Sequence, residues 1–191
     1  MEEHRERFYH FQEERIRRRL EEILLLPSSE KMKALIRFHS ENKYLFFCYD
    51  QKIKDQLGKM LANHSKEKSD PIARRYRATV CELFLQMPSI ANEINSLMHM
   101  FGYFKKDLTE EDKRSFLELI DDYREHRIDG TRIRELLRDH AIRYGKVYLS
   151  SQTILEPYPW ECAEIPEEEY EGKEDVHPAL LKTKARKSNE E

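Results

Sequence analysis

The residues best placed to do chemistry are polar side chains standing where a helical core would ask for apolar ones. His39 and Lys43 lie four residues apart, in register with Met32, Leu35, Ile36, Phe46 and Phe47. Asn95, His99, Gly102 and Lys106 follow one another at spacings of four, three and four, which puts them on one helical ridge. Burying a lysine or an imidazole without a partner is costly. Such residues must therefore satisfy one another, bind an anion or line a cleft. Two histidines titrate near neutrality and suit acid–base work, whereas a lysine suits phosphate. Gly102 costs about 1 kcal/mol against alanine inside a helix, so its place in the pattern predicts a close backbone approach. Taken singly, each has a plainer reading: hydrogen-bonded structural histidines, and a lysine whose stem packs while its ammonium reaches water.

Other chemistries find no support. The chain has no phosphate loop, dinucleotide fingerprint, H-E-x-x-H or G-x-S-x-G. Cys48, Cys81 and Cys162 are odd in number and far apart, which suits neither a disulfide framework nor a metal or iron–sulfur set. No metal, cofactor or catalytic residue is assigned. The acid pairs Glu110-Glu111 and Asp121-Asp122 stand beside bases and read as surface charge.

A nucleic-acid partner would call on Arg74, Arg75, Arg77, Lys105, Lys106, Arg143 and Lys146, with Tyr103, Tyr144, Tyr148 and Tyr158 nearby in sequence to stack on unpaired bases. The net charge of −3 looks unfavourable, but its distribution matters more. From Glu161 onward ten acids face five bases, so residues 161–191 carry −5 and residues 1–160 carry +2.

The elements that must position these residues are helices. A hydrophobic fraction of 39%, a charged fraction of 37% and only five glycines among 191 residues favour long solvated helices. The apolar periodicity predicts helices over about 2–26, 30–48, 51–62, 70–87 and 89–106, one after Thr109 that carries Phe116, Leu119, Ile120 and Tyr123 inward, one from Thr131 to Tyr144, then a short one over 147–153. Ser28 or Ser29, Asp70, Thr109 with Asp112, and Thr131 are the expected caps, and Gly145 the expected stop. The predicted fold is all-α: a compact domain of seven or eight helices over residues 1–160, opened by a charged helix over 1–26. An acidic, disordered tail is expected over 161–191. No run approaches the roughly 18 apolar residues that span a membrane, and the start lacks a signal-peptide core, so a cytoplasmic location is expected.

Three stretches in this order, FHSENK around His39 and Lys43, NSLMHMFGYF over 95–104 and Gln152 leading into LEPYP, resemble the YbgA-like family. The resemblance runs from about Arg5 to Pro159. It implies a helical domain that occurs alone or fused behind an iron–sulfur desulfidase domain acting on 4-thiouridine, and whose part there is to bind tRNA. By that resemblance the matched residues are His39, Lys43, Asn95, His99, Gly102, Tyr103 and Gln152. Lys43 and Lys106 would hold phosphate, His39, Asn95, His99 and Gln152 would meet base or ribose, and Tyr103 would stack. The desulfidase activity does not carry over, because the cluster cysteines are missing.

The leading expectation is a helical RNA-binding module, for tRNA, acting beside a separate iron–sulfur desulfidase. The rival readings are a small enzyme working on a nucleotide or RNA through His39 and His99, and a helical domain that docks another protein.

Overall fold

The computed structural model describes residues 2–64 and 68–158, and the expected acidic tail lies outside that range. Among the described residues there are eight α-helices and no strand. None of the helices is long and apolar enough to cross a membrane.

Helix α1 (Glu2–Leu25) is charged on most of its surface and buries one stripe: Phe8, Tyr9, Gln12, Ile16, Leu20 and Ile23. Phe11, expected on that stripe, is only half-buried, while Gln12 takes a buried place. Pro27 ends the helix. It also begins α2 (Ser28–Tyr49), its carbonyl accepting from the Glu30 and Lys31 amides. Ser28 and Ser29 therefore lie inside the helix and do not cap it.

Every residue from Tyr44 to Tyr49 is buried. A helix apolar all round must be enclosed, and α2 is: α1, α3, α4 and α5 pack around it. Asp50 then caps α3 (Gln51–Ala62), its carboxylate accepting from the Ile53 amide at 2.9 Å. Helix α4 (Ser69–Leu83) begins one residue before Asp70, which does not act as the cap. Its carboxylate instead takes the Lys31 ammonium at 2.5 Å and the Ser28 hydroxyl at 3.3 Å, tying the starts of α2 and α4 together.

Helix α5 (Ile90–Phe101) is capped by Ser89 and stops earlier than its periodicity suggests, tightening into a 3₁₀ turn over Gly102–Phe104. Helix α6 (Glu110–Arg124) has the expected capping box, with Thr109 and Asp112 bonding reciprocally. Helix α7 (Thr131–Arg143) starts after Gly130, with Asp129 rather than a cap on Thr131 accepting the Thr131 amide at 2.8 Å. Gly145, at φ 62°, ends it, as only glycine does without strain. Helix α8 (Val147–Ser150) and a 3₁₀ turn over Thr153–Leu155 complete the unit, which ends at Pro157.

A buried ion network crosses this core. Glu93 is fully buried and takes the Arg5 guanidinium at 2.9 Å and that of Arg134 at 3.3 Å. Arg134 also lies 3.8 Å over the Phe8 ring. A Cβ on Gly130 would stand 2.7 Å from Arg134 Nη1 and 3.3 Å from Glu93 Oε1, so a side chain there would push the Arg134 guanidinium aside. Buried carboxylates persist only when paired in this way.

Candidate functional site

Helix α2 aims His39, Lys43 and Phe47 along one flank at intervals of four, beside Lys54 and Gly58 of α3. His39 Nδ1 shares a hydrogen bond with the Tyr76 hydroxyl at 2.9 Å. A Cβ on Gly58 would lie 3.4 Å from His39 Nε2, in ordinary van der Waals contact, so α3 packs closely beside the imidazole. Burial, and then the charges of Lys43 and Lys54, push the His39 imidazolium down to about 4. At neutral pH the ring is therefore uncharged, a hydrogen-bonding group and not a cation.

The same flank continues as a row of rings. Lys54 Nζ lies 4.7 Å from the centre of Phe47, and Phe47 lies 5.0 Å from the His99 ring on α5. Lys43 Nζ is 6.0 Å from the Tyr44 ring. Tyr44 stands 6.5 Å from Tyr103 and 6.3 Å from Tyr148, and those two rings are 6.2 Å apart. Burial, and next a hydrogen bond with Tyr103, keep the Tyr44 hydroxyl protonated well beyond its ordinary range. Tyr103 is 46% exposed, which leaves a ring face for a ligand.

Asp55 registers the local field. Its exposed carboxyl is held below the usual range by a hydrogen bond from Lys54 first, and also by Lys59 and Lys43. Asp55 is thus the anion that Lys54 already holds, at 2.7 Å.

Gln152 differs from the expectation that it reads base or ribose. It is fully buried, and its amide spans one turn of α2. Nε2 donates to the Ser40 carbonyl at 2.9 Å and to the Tyr148 carbonyl at 3.1 Å, while Oε1 accepts from the Tyr44 amide at 3.4 Å. Gln152 thus fixes Tyr44 and Tyr148 relative to each other and faces no ligand. Gly102 differs too. A Cβ there would meet only Lys105 Cε, at 4.0 Å, so no close backbone approach occurs; the glycine lies where α5 gives way to the 3₁₀ turn.

Asn95, His99 and Lys106 are exposed and do not stand among core residues as the pattern predicts; Lys106 lies past the 3₁₀ turn, off the α5 ridge, and among the described residues no contact joins His99 to His39. The secondary basic residues are dispersed. Arg77 pairs with Glu21 at 2.5 Å, Lys146 with Asp107 at 2.8 Å, Arg74 and Arg143 are exposed, and Arg75 faces a groove between α3 and α4. Sequence reasoning passed over Lys54, Lys52 and Lys59; the seven-residue spacing of the last two on α3 was the available signal. Among the described residues no three His, Cys, Asp or Glu side chains gather as a metal site would require.

The family described as "Protein of unknown function (DUF1722)" matches residues 43–159, well over half of the chain. The chain belongs to this family. It is also similar to the "Uncharacterized protein YbgA" of Escherichia coli (strain K12), 29% identical over 129 residues, which cover 66% of this chain and 75% of that protein. No solved structure matches it. Within the DUF1722 match lie Lys43, the ring row, the α5 ridge and Gln152, while His39 falls just before it.

Proposed function

We propose that this DUF1722 protein is an RNA-binding module, for tRNA in the cytoplasm, that works beside a separate iron–sulfur desulfidase acting on thiolated nucleotides. The observation that carries this reading is one face holding both kinds of group that unpaired RNA requires. Lys43 supplies positive charge for phosphate, beside Lys54, which Asp55 already holds at 2.7 Å. Tyr103, with Tyr44 and Tyr148 behind it, supplies a stacking ring. Neutral His39 and the exposed His99 and Asn95 add hydrogen-bonding groups for base edges or ribose. The desulfidase partner rests on the family resemblance alone.

Catalysis by a histidine pair is less well supported, because His39 is held by Tyr76 and makes no contact with His99. The test is tRNA binding by the full chain and by two variants. Tyr103→Ala should weaken binding about tenfold, the loss of one stacked base at roughly 1–3 kcal/mol. Lys43→Gln should lower the slope of log K against log salt by about 0.7, as for one single-strand phosphate contact. Wild-type affinity and slope in both variants would remove this face from the reading. Turnover of a nucleotide by the chain alone, lost on changing His99, would favour the enzyme.

A further inference from the structure

The exposed ring of the tyrosine face is not held by its own element. Tyr103 sits in a 3₁₀ turn of three residues, and Tyr148 in α8, which has four. Such single turns have little stability of their own, because a helix gains only after a costly nucleus. Tyr44, in contrast, is buried on the enclosed α2. Tyr103 meets Tyr44 edge-on, with ring planes at 83°, and Tyr148 at 39°. Whatever fixes Tyr44 and Tyr148 therefore fixes the face that Tyr103 presents.

Two buried side chains do this from behind. The Gln152 amide spends both hydrogens of Nε2 on the Ser40 and Tyr148 carbonyls, at 2.9 and 3.1 Å, while Oε1 accepts from the Tyr44 amide at 3.4 Å. Ser40 and Tyr44 stand four residues apart, as partners in the α2 ladder do. One side chain thus clasps a turn of α2 and carries the Tyr148 carbonyl with it. From α5, the Ser96 hydroxyl donates to the Tyr44 carbonyl at 2.8 Å. Gln152 and Ser96 are both fully buried. Two donors and an acceptor at this reach suit glutamine and not glutamate, whose carboxylate would face the two carbonyls with no proton to give.

We propose that Gln152 and Ser96 are positioning residues of the ligand-binding face: they set the rings of Tyr44 and Tyr148, and through them the Tyr103 ring on which a base stacks. The proposal rests on the RNA reading above for its ligand, and on these buried hydrogen bonds for its geometry. Its consequence is that Tyr103 and Gln152 contribute to binding as one unit, although Gln152 acts only through the rings.

The experiment is a double-mutant cycle on tRNA binding by the full chain. Tyr103→Ala is made in the wild type, in Gln152→Met, which keeps the side-chain volume, and in Ser96→Ala, which removes one hydroxyl. Fluorine NMR of fluorotyrosine placed at Tyr103 reads the ring in the free protein. The Tyr103→Ala penalty, about tenfold in the wild type, should fall to about threefold in each variant. The fluorine resonance should shift in both. Should Gln152→Met fail to fold, Ser96→Ala carries the test alone. A penalty unchanged in both variants while tRNA binds, or a resonance unmoved in both, would overturn the positioning role and leave Tyr103 as a stacking residue. A merely structural Gln152 gives that result, with stability lost and the penalty intact. No tRNA binding by the wild type, with the resonance shifted in both variants, would overturn the RNA reading and keep the positioning role for a face with another ligand.

Discussion

Two clusters of charge in this protein use the same residue types to opposite ends. Arg5, Glu93 and Arg134 are gathered from α1, α5 and α7 into the core, where every charge has a partner. Over residues 31–64, in contrast, seven bases face three acids, and Lys43, Lys52 and Lys59 have no ion-pair partner among the described residues. Residues 110–143 are a third case, with eight bases and ten acids in near balance and local pairs such as Lys113–Glu110, Arg124–Asp121 and Arg127–Asp122. Neutralisation, more than residue type, separates architecture from binding surface here. The core cluster has spent its charge on the fold, and the α2–α3 face still has charge to offer.

The largest effect should come from opening the core cluster. Glu93→Ala leaves two buried guanidinium groups facing each other and should lower stability by about 3–5 kcal/mol. The urea midpoint measures it. Lys52→Gln/Lys59→Gln should stay within about 0.5 kcal/mol of wild type in the same titration. Equal losses in the two variants would erase the distinction between the regions.

Glu13 offers a pH-dependent version of the same contrast. Burial pushes its carboxyl up to about 7, against a hydrogen bond from Tyr49 at 2.8 Å and the nearby charge of Arg17. His10 of the same helix is 4.0 Å away, and Glu14 lies beside it. Because the folded state holds this proton more tightly than the unfolded chain, Glu13 favours folding below about pH 4.5 and loses that contribution as pH rises through 7. Glu13→Gln should therefore match wild type near pH 4.5 and be more stable by about 1–3 kcal/mol at pH 8. Thermal melts at both pH values read the difference. His39 acts in the opposite sense, destabilising as pH falls from 6.5 toward 4, and cancels between wild type and variant.

The smallest effect should come from the locally paired surface. Arg124→Gln should change stability by less than about 0.5 kcal/mol and tRNA affinity not at all, as for most exposed ion pairs. A clear loss of binding there would mean that RNA lies on α6 and not on α2 and α3.

What the sequence makes legible is what short-range physics decides. Helix α3 falls at Gln51–Ala62 as its periodicity predicts, and the Thr109 box and the Gly145 stop are local events. Partnerships across long stretches of chain are not legible. Glu93 looks like a surface acid in the first turn of α5, because Arg5 and Arg134 are 88 and 41 residues away. Gln152 looks like a ligand-reading amide until Ser40 and Tyr44, more than a hundred residues earlier, occupy it. Gly102 stands out in the helical pattern but marks only the change from α-helix to 3₁₀ turn.

The most direct measurement is binding of the full chain to bulk tRNA across a salt series. Micromolar or tighter binding that weakens steeply as salt rises is the expected result, since bases that neutralise phosphates gain affinity by releasing counterions. No binding at low salt would contradict the account and leave the α2–α3 face to a protein or small-molecule ligand.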